Sequence, residues 1–165
     1  MTTRPMLQQT ETAIPAPRTG LQESEDYVRL LERVRYEGAH PTREHAEEAV
    51  RDVLAALGRQ LVGDERVDLA ARLPVEAALV LTGQIPALNR LTGWEFVKDL
   101  AERTGRTPAT ARWNVSAVLA AVTRLAGPEL IDRIVAQLPP GYALLFGRAE
   151  LTQRRPAAEG TAAAA

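Results

Sequence analysis

The chain contains no cysteine. That absence excludes a disulfide framework, a thiolate metal site and a cysteine nucleophile. Serine is almost as scarce: Ser24 and Ser116 are the whole supply, and neither sits in the glycine-flanked turn of a serine nucleophile. No glycine-rich phosphate loop is written anywhere, and no pair of carboxylates stands on facing apolar stripes. Long apolar runs are missing too. Nothing approaches the ~18 consecutive apolar residues of a membrane span, and the opening "MTTRPMLQQTETAIPAPRTG" lacks the apolar stretch of a secretory signal. Lysine occurs once, at Lys98, while arginine supplies the rest of the 20 basic residues. Set against 21 acidic residues, the arginines leave no broad positive field for nucleic acid or anionic lipid. They are scattered, apart from Arg154 and Arg155. These absences predict a soluble cytoplasmic protein without membrane contact, catalytic residues or a cofactor.

What is present is helical. The hydrophobic fraction, 45% of 165 residues, suits one globular domain. "EDYVRLLERV" places Tyr27, Leu30, Leu31 and Val34 on one face. After Gly38 and Pro41, Thr42 has the character of a helix cap. Ala46, Ala49, Val50, Val53, Leu54, Leu57 and Leu61 then form the stripe of an amphipathic helix, with Arg51, Asp52 and Arg59 off it. The chain breaks near Gly63, and a short helix through Leu69 and Leu73 stops before Pro74. "TGWE" has capping-box spacing, Thr92 to Glu95. Trp94, Val97 and Ala101 follow on one face, with Phe96 and Leu100 beside it. Thr107 caps a helix carrying Ala111, Val115, Val118, Leu119 and Val122, which breaks at Gly127. A last helix through Ile134 and Leu138 ends at Pro139. Residues 1–22 and 148–165 show no such period and read as a flexible arm and a flexible tail.

The two central portions say nearly the same thing. "ARLPVEAALVL" at Ala71–Leu81 returns as "AQLPPGYALLF" at Ala136–Phe146. Thr42 meets Thr107, Ala46 meets Ala111, Val50 meets Val115, and "VLAA" at Val53 meets "VLAA" at Val118. Leu73-Pro74 meets Leu138-Pro139, and Leu79 meets Leu144. Identity falls at about a third of these positions, mostly those expected inside. The first copy carries one extra residue in the loop before Thr42. The expected fold is therefore all-α: a duplicated domain over 23–147, with repeat one at 25–82 and repeat two at 92–147. Each repeat holds about four helices. A unit of this size buries too little alone, so the two should share one core.

Taken together, "FVKDLAERTG", the Thr-capped "VLAAV" helix, the Gly-Asp-Glu or Gly-Pro-Glu break and the repeated "LP" resemble the DUF 2267 family, a domain of unknown function. The resemblance covers about residues 25–147. It implies a helical fold and a small soluble bacterial protein, with no assigned activity and no catalytic residues to transfer. Gly141 after Pro140 departs from the first copy, and the aromatic at Phe146 has no partner in "VEAALVL".

Three constellations bear on function. His45 and Glu48 stand three apart at a helix start, close enough to share a metal. Their counterparts Thr110 and Trp113 complete no site, and acidic residues at a helix start are expected from its dipole. The stretch Asp99–Leu119 has the outline of a helix-turn-helix, with Ala101 and Gly105 at its small and turn positions. Arg106, Thr107, Thr110 and Arg112 would face phosphates. Against that, Arg106 occupies a place usually apolar, and Glu44, Glu47 and Glu48 stand at the corresponding point of the first copy. Trp113 is the odd residue, since it replaces Glu48 where a solvent-facing side chain is expected. It either packs under the N-terminal arm or beside Trp94, or stands exposed as an anchor for a partner. The reading that follows is a non-enzymatic interaction or regulatory module with an unidentified protein partner. Trp113, Arg112 and Arg106 are its candidate contacts, and a DNA-associated regulator using 99–119 is the alternative. The metal question has a simple check: His45→Ala with Glu48→Ala should respond to a chelator no more than the natural chain does. A melting temperature that drops by many degrees on chelation, in the natural chain alone, would contradict this.

Overall fold

Side-chain caps and proline steps divide the chain into helices where its apolar period allows them. The computed structural model describes residues 23–148; the arm expected at 1–22 and the tail after Arg148 lie outside the described residues. Eight α-helices and no strand occur among the described residues. The first, α1 (Glu25–Glu37), opens on Ser24, whose side chain accepts the Tyr27 N–H. Thr42 does the same for the amide of His45 at the start of α2 (Arg43–Gln60). The short helices α3 (Gly63–Arg72) and α4 (Val75–Thr82) follow. Thr92 and Glu95 form the full capping box of α5 (Gly93–Thr104). Thr107 caps α6 (Pro108–Ala126), with proline at its first position, where a missing N–H costs nothing. Finally come α7 (Pro128–Gln137) and α8 (Tyr142–Leu145). Leu73 and Leu138 are both extended before their prolines, which ends α3 and α7. The helix starts of α2 and α6, and of α3 and α7, lie 65 residues apart (43 to 108, 63 to 128).

The longest helices are the centre. α2 packs against α1, α4, α5 and α6, while α6 packs against α1, α2, α5, α7 and α8. The expected α2 stripe from Ala46 to Leu61 is buried throughout, as are Val115, Val118 and Leu119 of α6. All belong to a single apolar cluster that draws on both halves.

Sequence periodicity misplaced some side chains. Trp94, expected on the inner face of α5, is 63% exposed. The inner face begins instead at Gly93, which touches the α8 end so closely that a Cβ there would sit 2.5 Å from the Gly141 carbonyl carbon. The stripe thus runs Gly93, Phe96, Val97, Leu100, Ala101 and turns Trp94 outward. Leu79 and Leu144 match between the halves, yet both are more than half exposed. The loop before Thr42 is one residue longer than its counterpart: the left-handed Ala39 matches the left-handed Gly105, and His40 and Pro41 then stand before Thr42 where Arg106 alone stands before Thr107.

Polar contacts fix how the helices join. Ser24 gives its N–H to Glu76 Oε1 (2.7 Å) and its hydroxyl to Oε2 (2.8 Å), which ties α1 to α4. The corresponding α5–α8 join is backbone on backbone, with the Gly93 N–H donating to the Pro140 carbonyl at 2.8 Å. Arg66 was not singled out by sequence, and it holds two helix ends together. Its guanidinium donates to the carbonyls of Gly58 (2.7 Å) and Leu61 from the α2 end. It also reaches those of Leu81, Thr82 and Gln84 from the α4 end. Gly58 permits the crossing, because a Cβ there would lie 2.2 Å from the Leu81 carbonyl oxygen. Among the described residues, ion pairs between the halves all place arginine in the second and acid in the first: Arg106–Glu48, Arg124–Glu37, and Arg133 with Asp68 and Glu65.

This packing predicts that Leu54→Ala or Leu119→Ala costs about 2–5 kcal/mol in urea unfolding. Either should shift one transition of the whole domain. Arg66→Met should cost about 1–3 kcal/mol by stranding helix-end carbonyls. Two separated transitions, or an unaffected midpoint, would contradict the packing.

Candidate functional site

The candidate site lies where the α1–α2 loop and the α5–α6 loop meet. Gly38, at the end of α1, is buried and donates to the Val34 carbonyl at 2.8 Å. A Cβ on Gly38 would lie 2.5 Å from His40 Nε2, so the histidine ring sits directly over this glycine. Ala39 between them takes a left-handed φ of 48°, an uncommon conformation for a residue with a Cβ. The Gly38 carbonyl then receives the Trp113 Nε1–H at 2.8 Å. Trp113 is nevertheless 58% exposed. Its indole is pinned at one edge and open on the rest. Beside it, Glu37, Ser116, Ala117 and Ala120 line a shallow hollow of about 140 Å³.

Arg106 enters from the α5–α6 turn, where Gly105 adopts the left-handed conformation that ends α5. Its Nη2 donates to Glu48 Oε2 at 3.1 Å. Its Nε, like His40 Nε2, is buried without a hydrogen-bond partner among the described residues. Charge and burial act together on this cluster. Burial pushes the His40 imidazole below its ordinary value, helped by the positive charges of His45 and Arg106. Burial pushes the half-buried Asp52 carboxyl up, against the lowering effect of Arg106 and with that of Glu48.

Two of the three residues named from sequence therefore converge. Trp113 and Arg106 reach the same loop pair, while Arg112 stands exposed on α6 with no hydrogen bond or ion pair among the described residues. Trp113 is neither buried nor in ring contact with Trp94; the aromatic pair among the described residues is Phe96–Tyr142, 5.4 Å apart. Arg106 is committed to Glu48, so it is less available than its sequence position implied. His45 belongs to the α2 cap, its Nδ1 2.8 Å from Thr42 Oγ1. No group of three or more His, Asp or Glu side chains among the described residues is arranged for a metal. Sequence reasoning missed Gly38 and His40. The longer loop before Thr42 was their one available signal, because only that loop has room for a ring folded back over its glycine.

Residues 27–145, which run from α1 to α8, match one family model. The chain belongs to DUF2267. The family is described as "uncharacterized conserved protein", and no curated protein matches the chain. DUF2267 membership carries no activity with it, so the chemistry is read from the loops.

A pH dependence follows from His40. Its value lies below the ordinary 6.5 in the folded protein, so the unfolded chain binds more protons just below that pH. The contribution is complete above about pH 6.5 and declines as pH falls. Thermal melts between pH 7.5 and 5.5 should show the natural chain losing stability more steeply than His40→Phe. Equal slopes would remove His40 from the account.

Proposed function

We propose that this chain is a non-enzymatic interaction or regulatory module of the bacterial cytoplasm, whose partner is a protein held at the Trp113 surface. The observation that carries the reading is the indole itself: more than half exposed, yet fixed by its N–H on the Gly38 carbonyl. A large apolar ring held in place before binding loses little freedom on association, and tryptophan is favoured at interface hot spots. Arg112 is adjacent and uncommitted, and the hollow lined by Ala117 and Ala120 offers a socket for a partner side chain.

The DNA-associated alternative rests on the α5–turn–α6 outline and the exposed start of α6. Weighing against it, Arg106 is occupied by Glu48, and Glu44 and Glu48 bring negative charge to the same end. Phosphates would meet carboxylates there.

The test is affinity capture from a lysate of the source organism, with and without nuclease, using the natural chain and Trp113→Ala. The expected result is a protein captured despite nuclease and reduced at least tenfold by Trp113→Ala, with the melting temperature changed by only a few degrees. Capture lost with nuclease would favour the DNA reading. Capture indifferent to Trp113→Ala would place the contact elsewhere.

A further inference from the structure

One side of α1 carries a row of long side chains, Asp26, Arg29, Arg33 and Tyr36, spaced three or four residues apart. With the end of α6 and the α3–α4 turn, this row walls a groove of about 810 Å³. Val28, Leu30, Pro74, Ala121 and Leu125 supply its apolar lining. At ~1.5 Å per residue the row runs for ~15 Å, about three helical turns.

The charge along the groove is one-sided. Arg29, Arg33, Arg72 and Arg124 line it, against the carboxylates of Asp26 and Glu32. Both carboxylates are already engaged: Asp26 by Arg29 at 3.3 Å, and Glu32 by Arg35 and Arg43, which do not line the groove. Arg33 and Arg72 are exposed and have no hydrogen bond or ion pair among the described residues. The lining is therefore positive in a chain whose net charge is −1. The other half shows that the fold does not impose this sign. Buried positions of α1 and α5 correspond at a constant step (27 to 93, 30 to 96, 34 to 100). At that step the row on α1 falls opposite Thr92, Glu95, Asp99 and Glu102. The same helical wall is basic in one half and acidic in the other.

We infer that the groove between α1 and α6 is the docking site of an acidic amphipathic helix from a partner protein. An apolar stripe on that helix covers Pro74 and Leu125, and the Asp or Glu side chains flanking the stripe meet Arg33 and Arg72. Helix-in-groove recognition combines apolar anchors with complementary charge in this way. The chain's own terminal segments do not supply the acid. Residues 1–22 hold Arg4 and Arg18 against Glu11, and residues 149–165 hold Arg154 and Arg155 against Glu150 and Glu159. Nucleic acid would satisfy the arginines but leave the apolar lining uncovered, with Asp26 among its phosphates. The groove shares no lining residue with the hollow beside Trp113, so the inference does not rest on the proposed partner contact.

The test selects random peptides of about four helical turns from a display library on the full chain. It runs in parallel on the natural protein and on Arg33→Glu with Arg72→Glu. Both substitutions fall on exposed, uncommitted side chains, so the melting temperature should move by only a few degrees. The natural chain should enrich peptides in which Asp or Glu flank an apolar i, i+3/i+4, i+7 stripe. By fluorescence anisotropy the strongest of them should bind the doubly substituted chain at least tenfold more weakly, and Trp113→Ala as tightly as the natural chain. Failure to enrich any peptide, enrichment without acidic residues, or equal binding by both chains would overturn the inference. A peptide lost on Trp113→Ala instead would belong to the other surface, and the inference would fall. Single-stranded and duplex DNA are tested on the same chains, and binding that disappears with Arg33→Glu and Arg72→Glu would replace the helix with nucleic acid. Self-association in sedimentation that the same substitutions abolish would make a second copy the occupant.

Discussion

Everything in this protein depends on α2 and α6 burying one another. Each carries an apolar surface too wide for the three short helices of its own half to cover. On α2 the buried positions run from Ala46 to Gln60, and on α6 from Ala111 to Ala126. Neither could lie at the surface without exposing valine and leucine methyls to water, at roughly 25 cal/mol per Å². The halves therefore meet along their longest helices, and a single core results. The ion pairs around the seam are mostly half exposed and add little energy. With acid always in the first half and arginine in the second, they favour pairing of unlike halves over like ones.

The same joint is made by different chemistry in the two halves, and this is where the molecule acquires individuality. Glu76 ties down Ser24 at the start of α1, whereas at the start of α5 two glycines let backbones touch. Arg66 gathers the carbonyl ends of α2 and α4, and its 65-residue counterpart is the buried Ile131. The Trp113 surface arises in the same manner: a loop one residue longer folds His40 over Gly38 and offers a carbonyl to an indole from the other half. The exposed, pinned indole lies where the halves diverge, while the buried positions kept in both serve the core.

Most of the fold was legible because it is written in short-range signals. Thr42, Thr92 and Thr107 cap their helices, and the leucines before Pro74 and Pro139 end theirs, without reference to anything distant in sequence. Long-range contacts were not legible. Periodicity assigned Trp94 to the core because it cannot register that Gly141 approaches Gly93 and leaves no room for a side chain. It treated Glu48 as solvated, since nothing local reveals Arg106 arriving from the other half. Trp113 was identifiable as anomalous by comparison with Glu48, but its hydrogen-bond partner depends on a loop conformation that includes a left-handed alanine. Arg66 resembled any surface arginine of a short helix.

The central claim is that neither half folds without the other, and one measurement addresses it directly. Residues 25–85, expressed alone, contain α1 to α4 with the α2 stripe intact and its α5 and α6 partners removed. Circular dichroism with urea titration at micromolar concentration, with sedimentation to fix the molecular mass, reports whether the fragment is cooperative. The account predicts a weakly helical chain without a cooperative transition, or one that becomes ordered only by self-association. A stable monomer with a sharp, native-like unfolding transition would contradict it, and α2 and α6 would then be neighbours by tethering and not by need.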